Sequence, residues 1–374
     1  MAVAGAVKRR TELVIWMIIG AASLSVLPFA RIPGPAATGV PGVFCGAVTV
    51  ADAATAFLLL SRVMETRGIG VLLLTCSYLY SAIMTPVMLL VFPDALVIGQ
   101  SVLVSSAQGN QAVSWIFQLW YWGFSVMALA SVIVAAWWPE WKIPHSTVRR
   151  TVIIGAAATI ITALGLSFLV LAISEHLPLM MVGFQWTAAN TIATLGSYGV
   201  LLAAISIIHF RLRSRSDLFR WLELSLIVFA LANALTTLSG GRYTIGWNAG
   251  RILWAVSACV VLIYFLAQFW TQQRELADAR ENLERKVLKR TEEKDNLIKV
   301  INHRIGNQLQ VIQSMLSIEN RNAEGEEAVA ILGRLGTNLN AMSQEHVRHS
   351  KSDYLEHGGG AVEAATYADP SHSN

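Results

Sequence analysis

Charge is what this chain has least of. Only 14% of its 374 residues are Asp, Glu, Lys or Arg, while 54% are hydrophobic. Soluble domains carry about a quarter charged residues, so this deficit reads as a membrane protein. Lysine is missing between Lys8 and Lys142 and again between Lys142 and Lys286. That excludes a retinal Schiff base, which needs an intramembrane lysine. Histidine is also rare in the apolar runs. Only His176 and His209 come near them, at opposite membrane faces, which argues against a haem held in the bilayer. The three cysteines, Cys45, Cys76 and Cys259, lie in apolar runs without a C-x-x-C spacing. They suggest small buried fillers, neither a disulfide framework nor a metal site. No P-loop and no G-x-G run with a following nucleotide fold is present, so ATP binding by these residues is not expected.

The charge that exists is unevenly placed. Residues 1–271 hold 15 Lys/Arg and 8 Asp/Glu, a net of +7, and residues 272–374 hold 13 and 16, a net of −3. The basic balance therefore comes from loops beside a membrane and not from a nucleic-acid patch; no nucleic-acid partner is expected.

A spanning helix needs about 20 apolar residues. Eight candidates run near 13–30, 43–61, 68–93, 112–137, 151–174, 188–209, 219–238 and 249–270. The first leads into seven more and lacks a small-residue cleavage site, so it is no signal peptide. Lys8, Arg9, Arg10, Arg62, Arg67, Lys142, Arg149, Arg150, Arg211, Arg213, Arg215 and Arg220 fall on one side; Arg31, Arg242 and Arg251 fall on the other. The first side is therefore expected to be cytoplasmic, with both termini inside a bacterial inner membrane. Trp137, Trp138, Trp141 and Trp270 stand where interfacial anchors belong.

Within the spans, Asp52 is the sharpest mark. It lies roughly 13 Å into the second span at 1.5 Å per residue. A carboxylate there should face the bundle interior, paired or protonated. Arg251, at the start of the last span, is a conceivable partner. Either the two help form or lock a signal-sensing cavity, or they are a packing pair only. Glu223 sits near the cytoplasmic end of the seventh span, where it is expected to snorkel to the interface. Trp115, Gln118, Trp120, Tyr121 and Trp122 cluster in the fourth span. Helix packing with an interfacial belt is the preferred reading, and a pocket in which Trp120 and Tyr121 sense a ligand is the alternative. A transporter with a regulatory tail is disfavoured, because no internal repeat is visible and Pro86 is the only proline well inside a span.

The stretches "VADAATAFLLLSR", "SYLYSAIMTPVMLLVFPDAL", "WIFQLWYWGFSVMAL" and "RYTIGWNAGRILWAVSACVVLIYFLAQF" resemble the fourth family of bacterial membrane-associated sensor (MASE) domains, over about residues 13–271. The resemblance implies a multi-span input module fused to a cytoplasmic signalling output.

From 272 to 298 the chain is highly charged and free of glycine and proline. Leu276, Leu283 and Leu297 are spaced by multiples of seven, with Val287 offset by four and Arg290 interrupting the seam. A short parallel coiled coil or a single solvated helix fits this pattern. From Trp270 to His303 a helix would measure about 50 Å. Ile301, Ile305, Leu309, Ile312 and Leu316 then recur at helical spacing, with His303 about 160° from the middle of their stripe. Ala328, Ile331, Leu335, Leu339 and Met342 form a second stripe after the turn "ENRNAEGEE". Two such helices bury too little alone, and pairing with a second copy makes a four-helix bundle.

"HRIGNQLQVIQSMLSIE" resembles the dimerisation and phosphoacceptor helix of sensor histidine kinases of the second HisKA subfamily, over about residues 292–350. His303, Arg304, Asn307, Leu309 and Gln310 match that pattern, and Gly306 stands where the family usually has lysine. The resemblance implies His303 as phosphoacceptor, with Arg304 steering phosphate or acidic partners and Asn307 orienting the ring. An imidazole, with an ordinary pKa of about 6.5, is mostly neutral at cytosolic pH and can attack the γ-phosphate of ATP.

The expectation is an all-α membrane protein: an eight-helix sensor domain at 1–271, a helical linker at 272–298, a dimerisation hairpin at 299–350 and a disordered tail at 351–374. It is a two-component sensor of the histidine kinase type, a homodimer relaying phosphate from His303 to a response regulator. ATP and Mg²⁺ are expected only through a kinase domain not present in these residues. The chain is then either cut before that domain or a receptor, decoy or phosphotransfer protein phosphorylated in trans.

Overall fold

The computed structural model describes residues 17–34, 39–93, 95–96, 102–103, 106–322 and 326–366. The chain divides into two compact units, Met1–Thr271 and Gln272–Asn374.

The first unit is a bundle of apolar helices. The first, α1, is short, Met17–Phe29. It is followed by α2 (Val40–Thr66), α3 (Ile69–Val91), α4 (Ser106–Trp137), α5 (Val148–Ile173), α6 (Ala188–Ile207), α7 (Asp217–Leu238) and α8 (Ile245–Asn322). Seven described helices, α2 to α8, are long and apolar enough to cross a membrane. The eighth expected span falls at α1; its residues 13–16 lie outside the described residues, as do Lys8, Arg9 and Arg10.

Small polar side chains join these helices, as expected where lipid offers no hydrophobic drive to associate. Ser225 Oγ donates to the Ser257 carbonyl at 2.9 Å and Ser257 Oγ returns the bond to Ser225 at 2.7 Å, clamping α7 to α8. Tyr80 donates to the Leu119 carbonyl at 2.9 Å. It crosses α4 where Gly123 leaves room: a Cβ there would collide with the Tyr80 ring. On the outside, Val43, Val50 and Phe57 of α2 and Ile154, Ile161 and Phe168 of α5 are exposed at intervals of seven residues. Seven residues are about two turns, so each series is a stripe that suits lipid.

The two ends of the unit differ. At the basic end, Arg67 closes α2 in the left-handed region at φ 57°. Its carbonyl accepts from Ile143 at 2.8 Å. Arg62, Lys142, Arg149, Arg211, Arg213, Arg215 and Arg220 cluster in or beside these loops, and Trp137, Trp138 and Trp141 are exposed there. At the other end, β1 (Met181–Val182) and β2 (Gln185–Trp186) form a hairpin turned by Gly183 at φ 60°. The hairpin pairs onto the loop before α8 through Gln185 and Gly241, and Pro33 pairs with Thr244.

In the second unit, α8 continues to Asn322 and α9 runs from Glu326 to Thr366. The two are antiparallel: His346 Nε2 donates to the Asn302 carbonyl at 3.2 Å, and Gln313 Nε2 to Asn340 Oδ1 at 3.5 Å. The seam between them is half-buried and runs through Asn302, Gly306, Leu309, Gln313 and Leu316, facing Leu332, Gly336, Leu339, Ser343 and His346. Ile301, Ile305 and Ile312 stay exposed on one flank of it, as do Ile331, Leu335 and Met342. The single apolar stripe expected on each helix is thus divided between two faces. The helix also passes residue 350, where the disordered tail was expected to begin. Extending a formed helix is far cheaper than starting one, and "AVEAAT" suits extension. Residues 367–374 of that tail lie outside the described residues.

Candidate functional site

His303 is exposed on α8, off the half-buried seam, with Arg304 exposed beside it. Asn307, one turn on, donates from Nδ2 to His303 Nδ1 at 3.3 Å. With Nδ1 accepting, the ring proton resides on Nε2. A half-turn of the amide exchanges its oxygen and nitrogen, so that Nδ1–H donates and Nε2 carries the free lone pair. The amide at i+4 can thus pair with either tautomer of the imidazole. Gly306 lies on the seam face, yet a Cβ there would meet nothing within 4 Å. The space the family fills with lysine is open.

In the membrane unit the expected pair is not formed. Asp52 is buried and accepts from Ser81 Oγ, which in turn accepts from Trp120 Nε1 at 2.7 Å. This relay joins α2, α3 and α4 and lines a small cavity with Tyr78, Ser225 and Trp254. Arg251 is buried elsewhere. It donates to Thr236 Oγ1 at 3.2 Å and sits among aromatic faces: 4.2 Å from the Trp247 ring centroid, 4.7 Å from Trp254 and 5.4 Å from Phe117. Desolvated cation–π contacts of this kind are worth about 2 kcal/mol each, which offsets part of the burial cost. Trp254 lies between the two centres, touching the Arg251 guanidinium and lining the Asp52 cavity. Tyr121 stacks on Phe229 at 4.8 Å.

Three features escape one-dimensional reading. Glu223 does not snorkel; it is buried at 3% exposure, its carboxylate 2.8 Å from His209 Nδ1 and 3.7 Å from Arg213 Nε. A π-helical turn at Ile208–Leu212 carries His209 to that meeting point. Arg242, counted by sequence with the loop charges, is buried and donates to Ser114 Oγ at 3.1 Å. Burial pulls its pKa down to about 10, so it remains cationic at neutral pH. Gln118 donates to both Asn190 Oδ1 and Thr194 Oγ1, at 2.9 and 2.8 Å, tying α4 to α6. The signal that pointed to Arg242 is its setting: an arginine in a Gly-Gly-Arg-Tyr turn a few residues before a second arginine in an apolar helix.

Arg242 and Arg251 line one small cavity of about 20 Å³. Asn190, Thr194, Asn233 and Thr236 supply its polar wall, and Phe92, Phe117 and Trp186 its apolar one. Gly250 makes this geometry possible. A Cβ there would collide with Thr236 Oγ1 and come within 2.8 Å of the Ala232 carbonyl.

Residues 36–273 match the family described as membrane-associated sensor, integral membrane domain. Residues 301–357 match the family described as histidine kinase. No curated protein and no solved structure matches the chain. The first match covers well over half of the chain and coincides with the helical bundle; the second begins at the apolar flank beside His303. The chain belongs to the membrane-associated sensor family, and with its histidine kinase region it is a membrane-bound sensor of the histidine kinase type.

Proposed function

We propose that this sensor detects a signal within or outside the bacterial inner membrane and reports it through phosphate on His303. The observation that carries the reading is the exposed imidazole with a polar side chain set against its Nδ1, inside the histidine kinase match. A nitrogen of His303 forms a bond to the γ-phosphorus of ATP as the bond to ADP breaks. The ATP and Mg²⁺ are held by a kinase catalytic domain, in cis or in trans. An aspartate of a response regulator then takes the phosphoryl group from nitrogen. Arg304 steers the acidic partner.

The reading includes a homodimer with both termini in the cytoplasm. The exposed apolar residues flanking the hairpin seam support pairing with a second copy, and the cluster of basic residues at one end of the membrane unit supports that end as cytoplasmic. Arg251 and His303 belong to one helix, α8, so a change of register or rotation along it is the transmitted event. Inserting two residues near Glu284 should scramble the response; an unaltered response would refute the rigid-helix route.

The first test is acid-labile phosphate on the full-length protein in its native membrane, wild type against His303→Ala. Label confined to the wild type is the expected result. Equal or absent label in both, with the protein folded and dimeric, would point to a receptor that does not use this histidine.

A further inference from the structure

At the basic end of the bundle, cations outnumber the acids that could balance them. Among the described residues there, each carboxylate already has a base within 4 Å: Glu65 has Arg62, Glu140 has Lys142, Asp217 has Arg220, and Glu223 has His209 and Arg213. Arg211 and Arg215, in and just after the π-helical turn that ends α6, are exposed and have no carboxylate within that distance among the described residues.

Arg211 is nevertheless held in place. Its guanidinium lies 4.6 Å from the centroid of the Trp137 ring, at the end of α4. A guanidinium stacked by its face keeps its N–H edge available, in a planar fork that fits phosphate oxygens. Among the described residues, the Arg211 side chain donates no hydrogen bond. The turn that carries it, Ile208–Leu212, is π-helical, a rare geometry that is frequent at functional positions.

The surroundings say which anion fits. Trp137, Trp138 and Trp141 are exposed at this end, and such tryptophan belts mark the headgroup level of a bilayer. Phe210, next to Arg211 in the chain, is 83% exposed, which suits contact with acyl chains. An available guanidinium edge at headgroup depth, beside apolar side chains, matches a phosphodiester that carries acyl chains better than it matches a soluble acidic partner.

We propose that the turn between α6 and α7 seats the headgroup of an anionic phospholipid, its phosphate on Arg211 and Arg215 and its acyl chains along Trp137 and Phe210. The proposal deepens the sensor reading by naming a lipid as partner. It rests on that reading for the cytoplasmic side of this end and for the consequence of binding. The consequence has a short route: α7 is clamped to α8 through Ser225 and Ser257, and α8 is the helix that bears His303.

The test is native mass spectrometry of the full-length protein, delipidated in detergent and titrated with phosphatidylglycerol or phosphatidylcholine. It reads binding without phosphorylation, so its failure is distinguishable from failure of the phosphoacceptor reading. Each basic residue near an anionic headgroup is worth roughly fivefold, so phosphatidylglycerol should bind at least about tenfold more tightly than phosphatidylcholine. Arg211→Gln combined with Arg215→Gln should remove that preference. Trp137→Leu keeps both charges and removes the stack; it should weaken phosphatidylglycerol binding about threefold. Arg149→Gln combined with Arg150→Gln removes the same charge from the same end and should leave most of the preference in place. All these side chains are exposed, so the variants should fold, and circular dichroism checks that they do. Equal binding of the two lipids, an unchanged affinity in Trp137→Leu, or equal losses in the two arginine pairs would overturn the proposal, the last because it means diffuse attraction without a seat. Displacement of phosphatidylglycerol by an equal concentration of inorganic phosphate would overturn it too, by showing a phosphate site that makes no use of acyl chains.

Discussion

Asn307 stands one helical turn beyond His303 with its amide nitrogen 3.3 Å from the imidazole Nδ1, both side chains exposed. In this orientation the amide donates to Nδ1 and the ring proton sits on Nε2. Asn307→Ala should lower the rate of His303 phosphorylation about fivefold, the equivalent of one hydrogen bond of roughly 1 kcal/mol. Helicity and dimerisation should be unchanged. Single-turnover labelling at matched dimer concentration checks this, and an unaltered rate would remove Asn307 from the site.

The two flanks of the hairpin seam predict different mutant behaviour. Ile305 and Ile312 are exposed in the single chain, whereas Leu309 and Leu316 are half-buried between α8 and α9. Ile305→Asp combined with Ile312→Asp should abolish chemical cross-linking between copies while leaving the helical signal in place. Leu309→Asp should instead cost hairpin helicity, because its charge lies in the seam itself.

Two glycines of α8 should respond to substitution in opposite directions. At Gly306 an added methyl group meets nothing, so Gly306→Ala should stabilise the hairpin by about 1 kcal/mol through helix propensity. At Gly250 any side chain displaces Thr236, the hydrogen-bond partner of Arg251. Gly250→Val should cost about 1–3 kcal/mol by overpacking. Thermal unfolding of the two variants in the same bilayer gives both signs in one experiment.

For Asp52 the ordering of substitutions is the readout. An asparagine oxygen can still accept from Ser81, so Asp52→Asn should stay within about 1 kcal/mol of the wild type. Asp52→Leu leaves the buried Ser81 hydroxyl without its acceptor and should cost about 1–3 kcal/mol. Equal losses in the two variants would mean that the charge itself, and not the relay, stabilises the bundle.

Sequence reading reached far into this protein where physics is written along one dimension. Runs of about 20 apolar residues fix where helices cross a membrane, because every backbone group must bond within its own helix there. The basic residues of separate loops fall together at one end of the bundle for the same reason that they are excluded from its middle. The angle of His303 to the apolar stripe follows from 3.6 residues per turn, and the His303 side chain is exposed. Reading stopped at Asp52, Arg251 and Glu223, each a charge whose partner lies on another helix.

What the tertiary structure decided was who meets whom. Periodicity says that Asp52 and Arg251 must both face inward, but not that Ser81 reaches one and Thr236 the other. It shows one stripe on α8 where packing makes two faces, since a helix with a single partner can cover only part of its apolar arc. It treats Arg242 as a loop charge because burial of a turn depends on what folds over it, here a β-hairpin whose Phe184 carbonyl accepts from the Arg242 backbone at 2.8 Å. Composition and spacing determined that this chain is a bundle of membrane helices followed by a histidine-bearing hairpin. Only packing across helices distant in sequence brought Arg242, Arg251 and Asn190 to one cavity, because such neighbours are chosen by side-chain fit in three dimensions and leave no period in the chain.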